Sequence, residues 1–160
     1  MKRRHVFVLA ACACTVLPML AAVSATAQTV KDQVVGTWTL ASGIEKRSDG
    51  TTAPTWAAGN LVLTATGHVS LFLIGKDRAK ADADPRVPIG PLVAYYGTYT
   101  VDEATKTMTY SVEMGSSPAW EKMVRKQTVS ITGDAMTLTG SPVKLPQGDI
   151  VPINEWKRTK

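Results

Sequence analysis

The sequence predicts an all-β fold, an eight-stranded antiparallel up-and-down barrel with room for a short N-terminal helix. Three observations predict it. Short stretches that alternate apolar and polar residues, rich in Val, Thr, Tyr and Leu, recur along the chain. Gly, Pro, Asn or Asp closes each stretch, and several of the connections are short enough for sequential hairpins. Eight strands in that order can close on themselves, which removes exposed edges and leaves an interior able to hold one small ligand.

The first 27 residues stand apart from this pattern. Lys2, Arg3 and Arg4 give a basic start, residues 6–23 are almost wholly apolar, and Ala25-Thr26-Ala27 supplies the small residues that signal peptidase needs. The reading is a signal peptide over 1–27, cleaved near Ala27, and a mature domain over 28–160 that is periplasmic or secreted. Two alternatives share the segment. A retained anchor is opposed by Pro18 and by the Ala-rich approach to the cleavage site. Lipid attachment at Cys12, after Leu9-Ala10-Ala11, is opposed by the apolar run continuing past it. No integral membrane anchor is expected.

Removing 27 residues from 160 leaves 133, enough to fold around a core without metal or disulfide staples. The excision takes three of the 18 basic residues and none of the 13 acidic ones, so the net charge falls to +2. Both signs are interspersed without a basic stripe, which argues against a nucleic-acid partner. Cys12 and Cys14 also leave, and with them any disulfide, thiolate nucleophile or cysteine zinc site.

The predicted strands are 36–47, 59–66, 68–74, 92–101, 107–115, 122–132, 135–139 and 150–158. Gly67 and Gly133 supply the positive φ of two tight turns, and 102–106 makes a third. Residues 29–35 read as a helical turn plugging one end or as a frayed terminus. Residues 76–91, charged and Ala-rich and then punctuated by Pro85, Pro88 and Pro91, read as a lid over the mouth or as a solvated connection. Asp77, Asp82 and Asp84 lack the Gly and terminal Glu of a calcium loop, so no metal is assigned there.

Side chains two apart share a face of a strand, so alternation assigns the interior. It puts Trp38, Leu40 and Ile44 inside from the first strand, and Tyr95, Gly97, Tyr99 and Val101 from the fourth. The fifth contributes Met108, Tyr110, Val112 and Met114. On the sixth, stepping back from Ile131 and Val129 brings Gln127, Arg125 and Met123 inward. A buried guanidinium requires a partner, and no acidic residue clearly shares its face. Either Arg125 and Gln127, with Tyr110 and Tyr95, orient the polar head of a ligand while Met108, Met114, Leu63 and Leu71 surround its apolar body, or Arg125 snorkels to solvent above an ordinary core.

Gly36-Thr37-Trp38 after a short amphipathic turn resembles the Gly-x-Trp signature of the lipocalin and wider calycin superfamily. The stretch Ala94-Tyr95-Tyr96-Gly97-Thr98-Tyr99-Thr100-Val101-Asp102-Glu103, then Val112-Glu113, Trp120, Gly133-Asp134 and Trp156-Lys157-Arg158, is similar to the bacterial and fungal lipocalin-like domain family. The similarity spans 34–158. It implies the barrel and a carrier, inhibitor or, less commonly, enzyme role. It also implies that Trp38 is packed by Arg158 from the last strand, closing one end, a structural pair and not a binding one. Where family members often carry histidines on the fifth strand, this sequence has Tyr110-Ser111, so chemistry that depends on such a histidine has no residue here. The family's Gln and Arg on the sixth strand fall on Arg125 and Gln127, in exchanged positions on one face.

Catalytic residues are not assigned. The mature chain has one histidine, His68, at a turn-to-strand boundary, and no nucleophile elbow, phosphate loop, dinucleotide fingerprint or metal-ligand cluster. The expectation is a ligand-binding protein for a small hydrophobic or amphipathic molecule, without cofactor. Two alternatives stay open. Arg125 with Tyr110 could polarise a carbonyl in an isomerase or cyclase. An inhibitor or envelope module would instead use 76–91 and 115–120 as contact loops, with Trp56 and Trp120 exposed for the purpose. Both tryptophans lining the mouth would favour the carrier.

Overall fold

The computed structural model describes residues 28–76, 90–144, 146 and 148–160. The expected leader over 1–27, with its cleavage site and Cys12, and most of the expected lid at 76–91, lie outside the described residues. In chain order the elements are helix α1 (Val30–Val34), strands β1 (Gly36–Arg47), β2 (Thr52–Pro54), β3 (Trp56–Leu63), β4 (His68–Gly75), β5 (Leu92–Asp102) and β6 (Thr107–Gly115), a 3-10 turn (Pro118–Trp120), and strands β7 (Val124–Thr132), β8 (Ala135–Gly140) and β9 (Ile150–Arg158).

Each strand from β3 to β9 pairs antiparallel with the next, and β1 pairs with both β3 and β9. Eight strands therefore form the closed barrel predicted from alternation. The ninth, β2, is a short extra strand that continues the line of β3 along β1. Alternation missed it, and began the second strand at 59 instead of Trp56, because Ala57-Ala58-Gly59 presents no apolar-polar contrast. The sixth predicted strand, which is β7, begins at Val124, not at 122, because Lys122 adopts φ 61° and breaks the extended backbone.

One end is closed by the chain itself. Thr29 caps α1, its side chain accepting from Asp32 N at 3.1 Å, and the Glu103 carboxylate accepts from Val30 N and Lys31 N, both at 2.8 Å. The helix is thereby tied to the β5–β6 turn, and its Val34 is fully buried. Beneath it Trp38, Leu63, Met108 and Met136 are all but completely buried, each fully buried side chain of this size contributing about 1.5–3 kcal/mol. The Tyr99 hydroxyl donates to Thr64 O at 2.8 Å and pins the β3–β4 turn, where Gly67 holds φ 85°.

The same end holds the first strand against the last. Arg158 is registered opposite Trp38, with its guanidinium carbon 4.1 Å from that ring's centroid. It donates from Nη1 to Val35 O at 2.8 Å and from Nη2 to Gln33 O at 2.7 Å, and stands 3.7 Å from Asp134. Trp38 Nε1 donates to Val34 O at 2.8 Å. Every polar group of the pair has a partner.

From mid-barrel to the other end, the strands carry one-residue bulges, at Ala41 in β1, Ala57 in β3 and Glu113 in β6. An extra residue moves every side chain beyond it to the opposite face. The Glu113 bulge fits because Gly97 faces it: a Cβ there would collide with the Ser111 carbonyl oxygen. These bulges decide what the open end looks like.

Candidate functional site

The open half of the barrel encloses a cavity of about 70 Å³. Tyr95 from β5, Tyr110 from β6 and Arg125 and Gln127 from β7 form one wall, and Asn154 and Trp156 from β9 with Glu45 from β1 form the facing one. Leu61, Leu71, Leu73 and Val93 supply the apolar lining between them. Thr55, Trp56, Trp120 and Pro152 complete the lining.

Of the eight residues expected to bind a ligand, five therefore line this space: Arg125, Gln127, Tyr110, Tyr95 and Leu71. Met108 and Leu63 face inward as expected but belong to the solid core of the closed half. Met114 is a correction. The Glu113 bulge pairs it with Tyr96 on the outer face, where it is 54% exposed. Two further inward assignments fail for the same kind of reason. Met123 is 38% exposed, ahead of the start of β7. Beyond the Ala41 bulge, Gly43 and Glu45 take the inward positions on β1, so Ile44 does not.

Glu45 is the acidic residue that alternation did not find. Asn154 was findable, because stepping back by two from Trp156 on β9 lands on it, the same step that exposed Arg125 and Gln127. Trp56 and Trp120 are half-buried and both line the cavity. Neither stands out as the exposed contact residue that the inhibitor or envelope alternative expects.

Arg125 is held by aromatics. Its guanidinium carbon lies 5.1 Å from the Trp120 ring centroid and 5.9 Å from that of Tyr95, with the two rings 6.0 Å apart. Trp120 is delivered by the 3-10 turn after β6, which Ser117 caps. Gly115 leaves it room, since a Cβ there would come within 2.7 Å of Trp120 Cβ. Tyr110 lies edge-on to Tyr95, centroids 6.5 Å apart. Among the described residues Arg125 makes no ion pair.

The polar atoms here are conspicuously unmatched. Among the described residues Tyr110 Oη, Asn154 Oδ1, Trp156 Nε1 and Thr55 Oγ1 are buried without a hydrogen-bond partner, and all four residues line this one cavity. A buried polar atom left unpaired costs about 1–3 kcal/mol, so four in one place make this the most polar part of the barrel interior. Burial pushes the Tyr110 phenol well above its ordinary range and the Tyr95 phenol above it, with the nearby Arg125 charge opposing in both cases. Both therefore keep their protons and remain able to donate.

His68 sits at the start of β4, at the closed end, with its Nδ1 3.2 Å from Thr66 Oγ1, and takes no part in the cavity. Among the described residues no group of three His, Cys, Asp or Glu is placed to hold a metal, and no helix is long and apolar enough to cross a membrane. No protein-family model matches the chain. No curated protein matches it either.

Proposed function

We propose that this chain is an exported lipocalin-like barrel that binds a small amphipathic molecule, polar end inward, in the cavity of its open half. One observation carries the reading: four residues whose buried polar atoms lack partners among the described residues line, with Arg125, a single cavity. Pockets that recognise small molecules combine an apolar lining with a few convergent polar groups in this way. The enclosed volume is that of a head group, so the rest of the ligand extends past Trp56 and Trp120 toward solvent. Support for export is the leader-like composition of residues 1–27, and support for the lipocalin resemblance is the Gly36-Thr37-Trp38 motif with Arg158 stacked on Trp38.

A second reading, docking of another protein on the outside of the barrel, is favoured by the exposed Phe72, Tyr96 and Met114, which share one outer face of β4–β6. An NMR titration with 1-octanol separates the two. The cavity reading expects saturable shifts of the Tyr110, Gln127 and Asn154 amides. Shifts confined to the neighbourhood of Phe72, Tyr96 and Met114 refute it.

A further inference from the structure

We infer that the cavity is built for the head of a carboxylic acid bearing a hydroxyl or amino group on the adjacent carbon, an inference that rests on the small-ligand reading above. The argument is one of opposed walls. Counting round the barrel, β6 lies diametrically across from β1, β5 from β9 and β7 from β3. The wall of β5–β7, with the protonated phenols of Tyr95 and Tyr110 and the donor-only guanidinium of Arg125 at its β7 edge, therefore faces the wall of β9, β1 and β3, which carries the acceptor-only carboxylate of Glu45 and Asn154 with its Oδ1 unpaired among the described residues. Glu45 and Arg125 line one space without forming an ion pair.

A simple acid would match Arg125 and the unpaired Trp156 Nε1, but would leave Asn154 Oδ1 empty and set a negative charge toward Glu45. An amine alone would do the reverse. A head that is anionic on one side and a donor on the other answers both walls, and the adaptable hydroxyls of Tyr110 and Thr55 can follow either. Size agrees with chemistry. A water needs roughly 10–15 Å³ of such space, so about 70 Å³ takes about five water-sized groups. A carboxyl group, its neighbouring carbon and one hydroxyl or amino group number the same.

Isothermal titration of the wild-type protein with four eight-carbon probes tests this: 2-hydroxyoctanoate, octanoate, 2-hydroxyoctanamide and 1-octanol. The expected result is that 2-hydroxyoctanoate binds at least about tenfold more tightly than octanoate, which lacks the donor, and than the amide, which lacks the charge. Arg125→Met should erase the preference for acid over amide, and Glu45→Gln should narrow the preference for 2-hydroxyoctanoate over octanoate. Because the first comparison uses only wild-type protein, it stands whether or not either variant folds. Equal affinities for the four probes overturn the head-group assignment while leaving a small-molecule pocket in place. Absence of binding by all four overturns both.

Discussion

The two ends of this barrel each hold an arginine against a tryptophan, and the contrast between them separates structure from site. Arg158 lies 4.1 Å above Trp38, donates to two carbonyls and reaches toward Asp134. Arg125 lies 5.1 Å from Trp120, and among the described residues it makes no ion pair, while four other buried polar atoms around it lack partners. A guanidinium with its donors matched belongs to the fold. One facing a cavity of unmatched groups is, on the proposed reading, matched by a ligand.

Substitutions can break that contrast, and the largest effect should come at the closed end. Arg158→Met should cost about 3 kcal/mol in urea unfolding, because it removes the stacking on Trp38 and strands the carbonyls of Gln33 and Val35. A loss below about 1 kcal/mol would mean that the pair does not hold β1 to β9. Glu103→Gln should cost less, about 1 kcal/mol, since it weakens the charged cap on α1 but keeps an acceptor near Val30 N and Lys31 N. Amide exchange across 30–34 should then accelerate ahead of the strands.

At the open end the signs should differ. Arg125→Met should change ligand-free stability by less than about 1 kcal/mol, because no ion pair among the described residues is lost and the methionine keeps apolar contact with Trp120 and Tyr95, while binding of an acidic amphiphile falls about tenfold. Smallest of all is Tyr110→Phe, which deletes a buried hydroxyl that has no partner. Stability should stay within about 0.5 kcal/mol or rise, and binding should weaken. A large loss of stability from Tyr110→Phe would show that its hydroxyl is already matched inside the protein.

How far alternation could see follows the same division. In the closed half the two-residue period runs unbroken, and stepping along β5, β6 and β7 reaches Tyr99, Met108 and Val129 without error. In the open half the bulges at Ala41, Ala57 and Glu113 each add a residue that no hydrophobic pattern marks, and beyond each one the faces exchange. That exchange carried Met114 out to solvent and brought Glu45 in. β2 was missed because three residues, with no alternation to speak of, are too few to announce a strand. The polar character of β9 was legible in Asn154 beside Trp156; that both would be left without partners depends on packing between strands distant in sequence. Backbone irregularity and unmet polar groups thus gather at the same end.

The most direct measurement is native mass spectrometry of the protein purified from its own compartment, run beside Arg125→Met. The account predicts that wild type carries one small adduct per chain and that the variant, folded to the same extent, carries little or none. Wild type arriving bare, and staying bare after incubation with 2-hydroxyoctanoate, would contradict it.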